Sequence, residues 1–196
     1  MRSLVGRPWF WVVMVGSLFA LPLVRVFFRD PPKLPPVRGT VPAFALTRES
    51  GLPFGTRELE GKVWVVSRFN LDDATPGMKT MHDLERHMRK LGDGFMLVSL
   101  AVDPARDTTA ALAAYASGHK SNPRRWTLLT GPLDQLKQVR SALMVDPSRL
   151  ATDPLVLVDA HLRIRGVYDA ASGTAADAKD TMDQLMYDAA LLVNNY

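Results

Sequence analysis

The chain has 196 residues, of which 47% are hydrophobic, with a net charge of +4 and no cysteine. A length of this order holds one folded domain and a leader rather than two full domains, and the hydrophobic share excludes a wholly disordered chain. The missing cysteines exclude disulfides, thiolate nucleophiles, thiolate metal sites and dithiol redox chemistry, and they leave the redox state of the compartment unread.

The positive charge is unevenly placed. Residues 1–40 hold six basic residues against Asp30 alone, whereas residues 41–196 hold 18 Lys and Arg against 19 Asp and Glu. The basic character therefore belongs to the leader. A folded part this close to neutral lacks the electrostatic footprint of a nucleic-acid binder.

Residues 1–28 read as an N-terminal membrane anchor. Residues 9–24 (WFWVVMVGSLFALPLV) carry no charge, and the apolar run continues past Arg25 through Phe28. This is the short end of a spanning helix, with Arg25 placed to snorkel and Trp9, Phe10 and Trp11 placed for the interface. A cut after Ala20 would leave Leu18 where signal cleavage wants a small residue, so the segment is expected to stay as an uncleaved anchor. Basic residues flank both sides, so charge alone does not orient it. Residues 29–42 (RDPPKLPPVRGTVP) hold five prolines in fourteen positions. Such a run makes neither a helix nor a central strand and predicts a semi-rigid extended stalk.

The folded domain is expected over residues 43–196. Ala43–Leu46 reads as a short strand, Gly51–Gly61 as a turn-rich connection with a helical turn at Thr56–Leu59, and Val63–Phe69 as a buried strand. Met78, Met81, Leu84, Met88 and Leu91 recur at helical spacing, which predicts a helix from Gly77 to Leu91 ended by Gly92. Phe95–Val102 is a near-continuous apolar run, as a central parallel strand requires. Thr108 or Thr109 suits the cap of a helix reaching Gly118. A strand at Trp126–Leu129, a helix at Leu133–Leu143, a hairpin of Leu155–Val158 and Arg163–Tyr168 around an Asp159–Leu162 turn, and a closing helix over 175–193 complete the order. Alternation of this kind predicts an α/β fold: a mostly parallel sheet with helices on both faces and an antiparallel edge.

Four stretches carry a family resemblance. Gly61-Lys62-Val63 enters the first buried strand. Ser99-Leu100-Ala101-Val102-Asp103-Pro104-Ala105-Arg106-Asp107-Thr108 resembles an S-V-D-P-x-R-D-T segment. Leu128-Leu129-Thr130-Gly131 precedes the next helix, and Val156-Leu157-Val158-Asp159 fits the strand before the final hairpin. Over residues 40–193 the chain resembles the Sco/SenC family, membrane-anchored thioredoxin-fold proteins linked to copper delivery for cytochrome c oxidase. The resemblance implies a thioredoxin-like fold with an insertion before its last hairpin. It also implies a copper site of a C-x-x-x-C pair and a His. Here the cysteine pair would fall within Asn70–Pro76 (NLDDATP), at Leu71 and Thr75, and the His near Ala151 or Thr152, so all three ligands are absent.

No catalytic, cofactor-binding or metal-binding residue is assigned in their place. His82 and His87 are five apart on one helix and do not converge, and His161 lies in the hairpin turn; with His119 they complete the four histidines. Met78, Met81 and His82 form a soft cluster whose spacing predicts core packing for the methionines rather than Cu(I) ligation. Asp72 and Asp73 precede a helix start, where carboxylates cap and complement the dipole. Asp103, Arg106 and Asp107 follow a strand end, where an Arg106–Asp107 or Arg106–Asp103 ion pair is expected to brace the loop. The expectation is therefore a non-catalytic protein on the outer face of the cytoplasmic membrane. It would serve as a scaffold or binding factor in respiratory oxidase assembly, through contacts that include the Asn70–Pro76 loop. The alternatives are a permanent accessory subunit of a membrane respiratory complex and a copper protein with relocated Met and His ligands.

Overall fold

The computed structural model describes residues 9, 11, 14–18, 33–71, 75–143, 154–171 and 174–196. Residues 1–33 and 34–196 are separate compact units. In the first, residues 14–18 are helical. No helix among the described residues is long and apolar enough to cross a membrane, and most of the anchor expected over residues 1–28 lies outside them.

The second unit is an α/β fold around one mixed sheet. Its strands are β1 (Gly39–Thr40), β2 (Ala45–Arg48), β3 (Pro53–Gly55), β4 (Val63–Phe69), β5 (Phe95–Ala101), β6 (Trp126–Thr130), β7 (Pro154–Val158) and β8 (Arg163–Asp169). Its helices are α1 (Thr56–Leu59), α2 (Pro76–His87), α3 (Thr109–Gly118), α4 (Leu133–Leu143) and α5 (Ala175–Val193), with a 3₁₀ segment at Met88–Gly94. The sheet order is β1-β8-β7-β4-β5-β6-β2-β3. β4, β5 and β6 run parallel, but the other five pairings among the described strands are antiparallel, so the sheet is mixed rather than mostly parallel as expected: the β7–β8 hairpin and the short edge strands β1, β2 and β3 all add antiparallel.

The central strands are apolar on both sides because both sides are covered. Val63, Val65, Leu97, Leu128, Leu155 and Leu157 face one core with Met81 and Leu84 of α2, Leu112 of α3 and Leu185, Ala189 and Leu192 of α5. Their sequence neighbours Trp64, Val66, Met96, Val98, Leu129, Val156 and Val158 face the other, with Leu59 of α1 and Leu136, Val139 and Leu143 of α4. The alternation is the two-residue period of a strand.

Two short edge strands escape the sequence pattern. β3 falls in the stretch expected to be only a connection. It forms because Phe54, 5% exposed, pairs with Leu46 across an antiparallel ladder. Gly55 is required there, since a Cβ would lie 2.0 Å from the Phe44 carbonyl oxygen. β1 falls inside the proline-rich segment. Gly39 and Thr40 pair with Ile164 and Arg163, and Val41 is 3% exposed in the core. The end of that segment is thus part of the sheet. The helix expected to run to Leu91 gives way to 3₁₀ geometry at Met88, and Gly92 sits at φ 66°.

The β7–β8 turn is fastened by a buried carboxylate. Asp159 has no exposed surface and accepts from Arg163 Nε at 2.8 Å, Arg165 Nε at 2.6 Å and the Tyr196 hydroxyl at 3.1 Å. It also accepts the His161 and Arg163 main-chain N–H groups. Burial resists ionisation, but these donors outweigh it and hold the Asp159 carboxyl below its ordinary value. Arg165 reaches on to the Pro35 carbonyl at 2.7 Å, so the same knot holds the chain's entry segment.

Candidate functional site

The loops after β4 and β5 leave the carboxyl ends of parallel strands, where open α/β sheets place their sites. Val102 N–H donates to the Phe69 carbonyl at 2.8 Å, continuing the ladder between the loops. Asp107, with no exposed surface, then ties them together. One carboxylate oxygen accepts Leu71 N–H at 3.3 Å and the other accepts Asp103 N–H at 3.2 Å. Asp103 in turn accepts Ala105 N–H at 3.1 Å. The bracing expected of this segment is made in part by carboxylates holding main-chain donors.

The positions matched to the cysteine pair have other work. Thr75 is the N-cap of α2, its hydroxyl accepting Met78 N–H at 3.3 Å, with Pro76 at the first helical position. Leu71 is half-buried against the core and pinned by Asp107 through its N–H. Asp72 and Asp73, expected as caps, and Ala151 and Thr152, matched to the histidine, lie outside the described residues. Met78 and Met81 are 3% and 0% exposed and fill the core, as their spacing predicts.

Behind α2 sits a buried polar cluster. Ser67 of β4 and Ser99 of β5 share a hydrogen bond of 2.8 Å, and Trp126 Nε1 donates to Ser99 at 3.0 Å. The far side of the Trp126 ring meets the His82 ring edge to face, with centroids 4.7 Å apart. His82 Nε2 lies 3.1 Å from the Tyr115 hydroxyl. His119, at the end of α3, stacks on Tyr115 at 4.1 Å and reaches within 4.9 Å of His82. Burial pushes the His82 pKa down, and the His119 imidazole beside it adds to the shift.

The His82, Tyr115 and His119 rings line a cleft of about 650 Å³ between α2 and α3, with Lys79, Arg86, Arg89 and Lys120 around it. Sequence reasoning missed the meeting of His82 with His119, which are 37 positions apart. The Tyr115–His119 spacing of four on a helix was the available signal. The other two histidines stand elsewhere: His87 contacts the Asp83 carbonyl in its own helix, and His161 meets Tyr196 at the hairpin turn.

A family model, SCO1/SenC, matches residues 34–183. The chain belongs to the SCO1/SenC family. Comparison with curated proteins gives no match. Among solved structures, BsSco, a member of the Sco family of cytochrome c oxidase assembly proteins, is 18% identical with a TM-score of 0.65, over 83% of this chain and 99% of that one. A SCO1/SenC family lipoprotein from Bacillus anthracis is 24% identical with a TM-score of 0.63, over 79% and 97%. Copper-bound yeast Sco1 is 21% identical with a TM-score of 0.54, over 81% and 93%. The thioredoxin-like SCO1/SenC fold is therefore the fold of residues 34–196.

Among the described residues, the donor set does not fit the copper that the yeast relative holds. There is no thiolate in the sequence, the thioethers nearest the loop are packed inward, and no group of three or more His, Asp or Glu among the described residues is arranged to hold a metal ion.

Proposed function

We propose that this chain is a membrane-anchored member of the SCO1/SenC family that has given up the family's thiol and copper chemistry and acts by protein contact in cytochrome oxidase assembly. The observation that carries the reading is the loop after β4. Its frame is kept by Asp107 and Thr75, while the positions matched to the ligands hold Leu71 and Thr75. Anchor points kept at Leu71 and Thr75 without the reactive groups favour a binding role over a lost one. The apolar run at residues 9–24 supports attachment by an uncleaved single-pass helix, since no cysteine is present to carry a lipid. The oxidase machinery of the relatives supports a place for the domain on the outer side of the cytoplasmic membrane. Deleting the gene and measuring oxidase level and copper content of the membranes tests the reading. A fall in assembled oxidase is expected; unchanged oxidase and unchanged copper would overturn it.

A further inference from the structure

The folded part is close to neutral, yet its charge is segregated. Asp177, Asp180 and Asp183 are exposed on α5, whereas the cleft between α2 and α3 collects four cations. Lys79, His82, Arg86 and Arg89 follow one another at i, i+3, i+7 and i+10, so they form a stripe along one face of α2 and the segment that continues it. Lys120 faces them from the end of α3, where its φ of 53° fixes the turn. The cleft's one acid, Glu85, is engaged by the Asn122 N–H at 2.8 Å, and Arg86 contacts Asp83. Between the cations lie Leu71, Met78 and Tyr115.

We infer that this cleft takes an extended acidic segment of a partner protein, with carboxylates on Lys79, Arg89 and Lys120 and an apolar side chain against Tyr115. The inference rests on the reading that the chain works by protein contact, and it names the contact. Three features point to an extended chain. The stripe from Lys79 to Arg89 is roughly 15 Å long at a rise of about 1.5 Å per residue, which exceeds one phosphate or carboxylate group. About four to five residues of extended chain cover that length at roughly 3.3 Å each. The lining rings are packed on one another, with Tyr115 bonded to His82 and stacked on His119, and His82 rests edge to face on the buried Trp126, so an apolar anchor meets a preformed surface rather than one it has to order.

The test uses the full chain in detergent micelles and fluorescence anisotropy with a labelled peptide of alternating Glu and Leu, against the same peptide with Lys for Glu. The Glu peptide is expected to bind and to weaken as salt is raised. Lys79→Glu with Arg89→Glu is expected to weaken it about tenfold or more, and Lys179→Glu on α5 to leave it unchanged. Tyr115→Ala is expected to weaken it without altering the salt slope. Equal binding of the two peptides, wild-type affinity in Lys79→Glu/Arg89→Glu, or full displacement by millimolar inorganic phosphate would overturn the inference, the last by exposing a simple anion site. The cellular arm separates the two readings. If deletion lowers oxidase but Lys79→Glu/Arg89→Glu does not, the cleft is not the contact and the assembly role stands. If deletion has no effect, the assembly role itself falls.

Discussion

Two buried carboxylates sit at opposite ends of β4 and hold the molecule in different ways. Asp159, beside the start of β4, gathers two guanidinium groups and a phenol from β8 and the last residue of the chain. Asp107, beyond the end of β4, accepts main-chain N–H groups from the loops after β4 and β5. The first is a knot of side chains that locks distant segments. The second sets the path of two loops and leaves their side chains free to differ. Bonds of the second kind are made by the main chain, so they tolerate a change of the side chains on either side.

The largest expected effect breaks the knot. Asp159→Asn leaves Arg165 buried beside a neutral partner and is expected to cost about 3–5 kcal/mol, read as a drop in the urea midpoint with the slope unchanged. Next is Ser99→Ala, which strips a partner from both Ser67 and Trp126 and is expected to cost about 1–3 kcal/mol. It also loosens the Trp126 ring on which His82 rests, visible as altered Trp126 fluorescence. Asp107→Ala sharpens the contrast: its loss, about 1–3 kcal/mol, is expected mainly as faster hydrogen exchange at the Leu71 and Asp103 amides. Exchange that speeds up equally across β7 and β8 would show that the two poles do not differ in kind. Thr75→Ala removes the α2 cap at about 1 kcal/mol.

The smallest effect is a pH dependence that separates the poles. Both Asp159 and His82 have folded pKa values below their ordinary ones. The unfolded chain therefore binds more protons in each window, and stability rises with pH through it. For His82 the contribution is present above its ordinary 6.5 and is lost as pH falls from there through the lower folded value. For Asp159 it is present above 3.8 and is lost below that. Urea midpoints across pH should show both losses. Asp159→Asn should remove only the acidic one, and His82→Phe only the one nearer neutrality.

Elements whose pattern is local were legible from the sequence. β4 and α5 have the bounds that the apolar run and the helical spacing predict, because both are set by which faces are buried. β1 and β3 were not, since two or three residues carry no period and their pairing is decided by strands far away in the chain. The site divides in the same way. The absent thiols and the loops that would hold them were readable from composition and motif. The His82–Tyr115–His119 stack was not, because α3 is brought beside α2 only by the sheet. Nor was the Asp159 knot, although Arg163 and Arg165, two apart on one strand, share the face that builds it.

The entry of the chain as β1 also has a mechanical meaning. A pull on the residues before Leu34 meets the grip of Arg165 on Pro35 and the hydrogen bond of Arg38 to Ile164 before it reaches Val41 and the core behind it. The outer edge would unzip first, freeing several residues while the sheet behind it stays folded. A domain cut to begin at residue 43 would lack this sacrificial seam, and one cut to begin at residue 34 would keep it.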